Sequence, residues 1–331
     1  MNCARFSVPG VPSTNHGICN IADQYTFRPT GSTIAALISQ SLLHTVTQTL
    51  ITNSYVIVIA MDYRKAFDTV RHVTLLEKMA NLRLPDHVFN WLVNFFSERQ
   101  QCTAYHDTTS VLQAISASIV QGSAVGPASY VVNASDLKAV TTGNVLCKYA
   151  DDTYAISPSD SVHTTTAELD NVKAWADVNN LRLNLAKCAE IILYDSRRKR
   201  QPVQPLPLPN VPRVQSLKIL GVTISNKLSV AEHVRNIIRS SAQTCHALRL
   251  LRAHGMVNAS LQVVYRAIIT AKLTYAASAW WGFTADDDRQ RLEAIIRRGK
   301  RTDLCSEDHP ALVLFGLTAT KLNKLLLLFY Y

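Results

Sequence analysis

Seven cysteines in 331 residues, none forming a CxxC pair, exclude a zinc knuckle and give no disulfide framework. Cys3, Cys19, Cys102, Cys147, Cys188, Cys245 and Cys305 lie far apart, and reduced thiols in an intracellular protein fit that spacing. Long apolar runs are also missing. The opening MNCARFSVPGVPSTNHG has no apolar stretch of the signal-peptide kind. The terminal LLLLFYY falls far short of the ~20 residues a membrane span needs, so no membrane partner is expected. That run reads as a helix cut short, and a further segment is expected after it. No internal repeat is present. Acidic residues are the scarcer charge: 24 Asp and Glu stand against 34 Lys and Arg, giving +10 and a pI near 9.3. Such a surface suits an acidic partner, nucleic acid foremost, or belongs to a merely basic protein. At 47% hydrophobic and 18% charged, the composition is globular, with room for two domains or one elaborate one.

What is present reads as α+β. Helical spacing runs from Ile34 to Leu50, and SYVIVIAMD is the near-continuous apolar run of a strand buried on both faces, ending in Asp62. Two helices, Thr69 to Leu82 and Asp86 to Glu98, break at Pro85, with Asp68 as a cap or ion-pair partner for the first. Gln101 to Ile119 reads as strands and turns. QGSAVGP leads into an apolar helix from about Ala128 to Val140. Val162 to Asn179 is amphipathic, AEIILYDS is a strand, and PVQPLPLPNVP is an extended connector. SLKILGVTIS reads as a strand pair, and Val230 to Lys300 as helices broken near Gly255 and Gly282.

The chemistry concentrates in CKYADDTYAIS, Cys147 to Ser157. An Asp-Asp pair alone marks a polar turn. Here Val145-Leu146-Cys147 and Tyr154-Ala155-Ile156 flank it as two strands, which puts Asp151 and Asp152 at a hairpin tip. If the strand ending in Asp62 lies beside that hairpin, three carboxylates meet. A lone carboxylate at the end of a buried strand is costly without a cation or strong donors, and an oxygen-rich site suits Mg²⁺. Two such ions ~4 Å apart activate a hydroxyl and stabilise departing pyrophosphate.

In that order, MDYRKAFDTVRH, QGSAVGP and YADD resemble motifs A, B and C of a reverse transcriptase palm. More narrowly they resemble the non-LTR (LINE-type) retrotransposon enzymes of jockey or CR1 kind. QYTFRPTGSTIAAL resembles a fingers motif, LRLNLAKCAEI motif D and LKILGVTIS the primer grip of motif E. YRAIITAKLTYAASAWW resembles a thumb. The resemblance covers about residues 24 to 301. It implies a right-hand architecture: a divergent segment 1–23, partial fingers and palm over 24–228, and an all-helical thumb-like module over 229–331. The implied activity is RNA-directed DNA polymerase, using Mg²⁺ or Mn²⁺, an RNA template, a DNA primer and dNTPs. The alternative is a silent nucleic-acid-binding remnant. No oligomeric state is implied. The reaction places the protein in the nucleus if targets are chromosomal, or in the cytoplasm where it is made.

The resemblance also implies roles. Asp62 and Asp151 are the principal metal ligands, Asp152 adds charge or a secondary contact, and the Tyr63 carbonyl completes a shell. Phe67 is the gate beneath the sugar, and Gln121 and Gly122 form the motif B loop. Arg28 lies on the incoming nucleotide, while Arg64 and Lys65 meet the triphosphate or balance local charge. Lys187 is either a proton donor to pyrophosphate or a solvated surface lysine. Leu220 and Gly221 form the grip. SRRKRQ reads as a solvated turn, a nucleic-acid contact or a nuclear address, and RQRLEAIIRRGKR as an amphipathic surface helix or a duplex-phosphate contact. A YRPI-type segment, an endonuclease and a CCHC knuckle, which family members carry, are not found, so a fragment of a longer reading frame is expected.

Overall fold

In the computed structural model, which describes residues 23–26, 42–120, 122–198 and 202–305, helices and strands mix through the chain. In order come α1 (Leu42–Thr52), β1 (Val56–Met61), α2 (Ala66–Thr69), α3 (His72–Ala80) and α4 (Asp86–Phe96). Short strands β2 (Gln100–Gln101), β3 (Ala104–Tyr105), β4 (Thr108–Thr109) and β5 (Gln113–Ala114) follow. Then come α5 (Gly126–Asn133), β6 (Val145–Tyr149), β7 (Asp152–Pro158), α6 (Thr165–Val178) and β8 (Ala189–Leu193). The remainder is β9 (Ser216–Ile219), β10 (Val222–Ser225), α7 (Ala231–Ala253), α8 (Asn258–Tyr265), α9 (Ala271–Thr274), α10 (Ala277–Trp280) and α11 (Asp286–Arg301). Two compact units divide the described chain. One holds residues 23–26 with Val56–Glu190 and Gln204–Arg213. The other holds residues 42–55 with Ile191–Val203 and 214–305.

The first unit is organised by β1. Val56, Ile57, Val58 and Ile59 are each at most 1% exposed, so the apolar run is buried on both faces as its lack of alternation requires. Each such side chain contributes about 1.5–3 kcal/mol on leaving water. β7 pairs antiparallel with β1 from Val56 opposite Pro158 to Met61 opposite Thr153, and β6 pairs with the far edge of β7. The sheet order is β6-β7-β1-β8, with Ala189 and Glu190 opening the fourth strand. Glu190, 1% exposed, takes a bidentate pair from Arg213 at 2.9 Å, and Arg213 also donates to the Pro205 and Leu206 carbonyls, which pins the proline-rich connector.

Element by element, the differences from expectation have local causes. The first helix starts at His72 rather than Thr69, because Val70 is extended after the single turn of α2. Asp68 lies inside that turn, and α3 has Arg71 at its N-cap with no side-chain cap, so Asp68 is not the cap expected of it. The helix after QGSAVGP ends at Asn133, not Val140, and the Ala134 and Leu137 carbonyls beyond it are taken by Lys148.

In the second unit, β9 and β10 form a hairpin, and α7 packs against β10, α8 and α11. The break near Gly255 stands, at φ +89°. α11 carries Asp286, Asp287 and Asp288 in its first turn and Arg298, Lys300 and Arg301 in its last, matching both ends of the helix dipole. Asp288, Leu292, Ile296 and Gly299 form its buried stripe. Arg198, from the basic run 196–201, donates to the Leu50 and Asn53 carbonyls and so closes the C-terminal end of α1. Among the described residues, no helix is long and apolar enough to cross a membrane.

Candidate active site

The β6–β7 hairpin closes through Tyr149 opposite Asp152, which leaves Ala150 and Asp151 as a two-residue turn. Val145, Leu146 and Cys147 face Ile156, Ala155 and Tyr154, so the two strands expected from sequence do pair. Asp62 follows Met61, the last residue of β1, while Asp152 precedes Thr153, its partner. The two acids therefore leave the ladder side by side, with Asp151 in the adjoining turn.

Electrostatics report the convergence. Burial, then the neighbouring charges of Asp151 and Asp62, pushes the Asp152 carboxyl up to about 6, although the residue as a whole stays exposed. Asp151 is raised too, by burial first and with a contribution from Asp62. Asp62 is less buried than a strand-end acid was expected to be: its side chain is 41% exposed. The desolvation penalty argued for it from sequence therefore does not apply in full.

Asp62 and Tyr63 are held from the opposite side by residues 182–184. Asn184 N donates to the Asp62 carbonyl and Arg64 N to that of Arg182, both at 2.8 Å, around a Tyr63–Leu183 bridge. Successive carbonyls of an extended chain face opposite edges, so the Tyr63 carbonyl faces away from residues 182–184. The Tyr63 ring is buried, edge-on to Trp175 at 6.1 Å, and burial raises its phenol. Lys187, 70% exposed, stands 4.0 Å from Asp62. It is a surface lysine and an acid's neighbour at once.

Arg64 and Lys65 are exposed on the turn after Asp62, Lys65 at φ 49°, and among the described residues neither pairs with a carboxylate. Phe67 is half-buried and stacks on Tyr130 of α5, centroids 4.5 Å apart and planes 23° apart. Tyr130 is 1% exposed, so Phe67 rests on a fixed platform. Gly122 sits at φ +84° with nothing within 4 Å of a Cβ placed there, so backbone conformation rather than crowding calls for glycine. Ser123 organises the loop, donating to the Val120 carbonyl at 2.8 Å and accepting from Gly126 N at 3.0 Å. Arg28 and Gln121 lie outside the described residues.

In the second unit, Leu220 (φ 44°) and Gly221 (φ 89°) form the two-residue turn between Ile219 and Val222. Tyr275 donates from its hydroxyl to the Leu220 carbonyl at 2.8 Å. On α11, Arg289 pairs with Asp286, Arg291 with Asp288 and Arg297 with Glu293, so much of its basic charge is answered within the helix.

Four side chains that the structure sets around these residues were given no role in the sequence reading: Tyr130, Ser123, Lys148 and Gln24. Lys148 alone left a signal, as a lysine inside an apolar strand beside an acidic turn. Among the described residues, no group of three or more His, Cys, Asp or Glu side chains forms a ready-made metal cage. Mg²⁺ needs none, since it takes one or two carboxylates and keeps waters or substrate phosphates. Acceptor-only oxygens whose neighbouring charges raise Asp151 and Asp152 fit a cation that relieves the repulsion.

A family model for reverse transcriptase (RNA-dependent DNA polymerase) matches residues 16–224, more than half of the chain. The chain belongs to that family. It is 27% identical over 248 residues to the RNA-directed DNA polymerase from mobile element jockey of Drosophila melanogaster, covering 71% of this chain and 27% of that one. It is 26% identical over 273 residues to the probable RNA-directed DNA polymerase from transposon X-element of the same fly, covering 78% and 30%. The chain thus spans about 30% of the length of these relatives. Among solved structures, apo telomerase from Candida tropicalis superposes with TM-score 0.44 at 11% identity, covering 86% of this chain and 52% of that one.

Proposed function

We propose that this chain is the polymerising part of an RNA-directed DNA polymerase of a non-LTR retrotransposon, adding dNMP to a primer 3′-hydroxyl on an RNA template. The observation that carries this reading is the register of β1 and β7, which sets Asp62, Asp151 and Asp152 at one sheet end with Phe67 following on the same chain. On this reading residues 24–228 are partial fingers and palm and 229–331 a thumb-like module.

Asp62 and Asp151 would hold Mg²⁺, or Mn²⁺ in its place, with the Tyr63 carbonyl and with Asp152 as charge and secondary contact. When bound, the ions supply an activated 3′-hydroxyl and stabilise the charge of the departing pyrophosphate. Arg64 and Lys65, which pair with no carboxylate among the described residues, are available to the triphosphate, and Arg28 to the nucleotide. Phe67, backed by Tyr130, meets the sugar edge where a 2′-hydroxyl would project. Gln121 and Gly122 line the templating pair, and Leu220–Gly221 supports the primer end. Lys187, 4.0 Å from Asp62, is on this reading the proton donor to pyrophosphate. The rest of catalysis is positioning and charge stabilisation.

The test is primer extension by the purified chain on an RNA template with Mg²⁺ and labelled dNTPs, beside Asp151→Ala. Extension by the parent alone is expected. Folded protein that binds duplex, with neither form extending, would overturn the reading in favour of a silent remnant. Phe67→Val should admit ribonucleotides, and unchanged dNTP selectivity would remove the gate role.

A further inference from the structure

The turn that carries Asp151 is tied down from outside its own hairpin. Residues 23–26 run along the free edge of β6, with Gln24 bridged in parallel to Lys148. Lys148 N donates to the Asp23 carbonyl at 2.8 Å, and Tyr25 N to the Lys148 carbonyl at 2.9 Å. From that edge the Gln24 side chain reaches the turn. Its Oε1 accepts from Tyr25 N at 3.2 Å, Thr26 N at 3.3 Å and Ala150 N at 3.1 Å. Ala150 directly precedes Asp151 and stands at φ 55°, a conformation disfavoured for a residue with a Cβ. Such a residue persists when its surroundings over-determine it.

Gln24 holds the turn itself, and Lys148 secures the strand that leads into it. Lys148 is 1% exposed, and its ammonium donates to the Ala134 carbonyl at 2.7 Å and the Leu137 carbonyl at 2.9 Å and pairs with Asp23 at 3.1 Å. Its three N–H directions thus meet three acceptors, the condition under which a buried lysine is tolerated. Lys138 also pairs with Asp23, at 3.0 Å. Asp23, Lys148 and the chain just beyond α5 become one knot, and the carboxylate turn follows directly along the strand.

We infer that Gln24 and Lys148 are positioning residues for the Asp151–Asp152 turn: Lys148 bolts β6 to the chain beyond α5, and Gln24 holds the Ala150 amide so that Asp151 projects toward Asp62. The catalytic consequence rests on the polymerase reading above; the clamp itself does not. Supporting groups of this kind change metal affinity or activity by about 10–100-fold when removed.

The test uses the full chain with Gln24→Met, which removes the acceptor, and Gln24→Glu, which keeps it. Hydrogen exchange at Ala150–Asp152, Mn²⁺ binding without substrate, and kcat and KM for dNTP are compared with the parent. Gln24→Met should exchange faster at the turn, bind Mn²⁺ about 10-fold more weakly and lose about 10-fold in kcat with KM for dNTP little changed. Gln24→Glu should keep the turn protected. Parent-like exchange in Gln24→Met overturns the clamp. Faster exchange with unchanged Mn²⁺ affinity and kcat overturns the positioning role. A parent that neither binds Mn²⁺ nor extends a primer overturns the polymerase reading and the positioning role with it, while the exchange data still decide the clamp.

Discussion

The β9–β10 and β6–β7 hairpins each turn in two residues, as β3–β4 does at His106–Asp107, and the first two meet that backbone demand with different chemistry. The β9–β10 hairpin uses Leu220 and Gly221, both at positive φ, and receives a hydrogen bond from the Tyr275 hydroxyl on the Leu220 carbonyl. The β6–β7 hairpin puts Ala150 at positive φ and follows it with a carboxylate, and its amide is held by Gln24. The first tip keeps the glycine that such a geometry favours at its second position, with Leu220 held at positive φ before it. The second gives up the glycine and gathers like charge, a combination that stability alone does not select. Departures of this kind cluster at functional sites.

Substitutions should separate the two tips. Gly221→Ala has the largest expected cost in stability: φ is +89° and the new Cβ would lie 3.0 Å from Tyr275 Cε1. A loss of about 1–3 kcal/mol in urea unfolding is expected. Asp151→Ala, which should stop extension, should by contrast leave stability near neutral pH unchanged or higher, because it removes one of three repelling charges. Comparable losses from the two changes would break the comparison. A smaller effect is expected of Tyr275→Phe, about 0.5–1.5 kcal/mol for one hydrogen bond.

The smallest effect is in pH dependence. Folded Asp152, raised from 3.8 to about 6, holds its proton where the unfolded chain has released it. Metal-free protein should therefore lose stability from this residue as pH rises from about 4 to 6, and Asp152→Asn should remove that dependence. His233 in the second unit has the opposite sign. Burial first, then Lys218, lowers it from 6.5 to about 4, so its contribution is present above 6.5 and is lost as pH falls toward 4. Thermal melts of Asp152→Asn and His233→Gln across pH 4–7 would show slopes changing in opposite directions.

Much of the β6–β7 hairpin was legible because period and punctuation agree there. Apolar residues flank an acidic pair, and the register follows once the closing pair is fixed. β1 was legible because its apolar run does not alternate, which a strand buried on both faces permits. What sequence did not carry depends on contacts between distant segments. Arg198 read as part of a basic run, yet it closes α1 through Leu50 and Asn53. Arg291 and Arg297 read as part of an amphipathic surface helix or a duplex-phosphate contact, and their pairing within α11 was not legible. Tyr130 read as an ordinary apolar helix residue, and only its stacking on Phe67 gives it a part in the site. Helix starts erred where a single extended residue, Val70, interrupts a helical pattern.

The central claim is that Asp62, Asp151 and Asp152 form a cation-holding site. The most direct measurement follows the Asp152 carboxyl by NMR through a pH titration, first metal-free and then with Mg²⁺. The account predicts a midpoint near 6 without metal and a clear downward shift with it, since a cation stabilises the ionised form. A midpoint that stays in place as Mg²⁺ is added would contradict it.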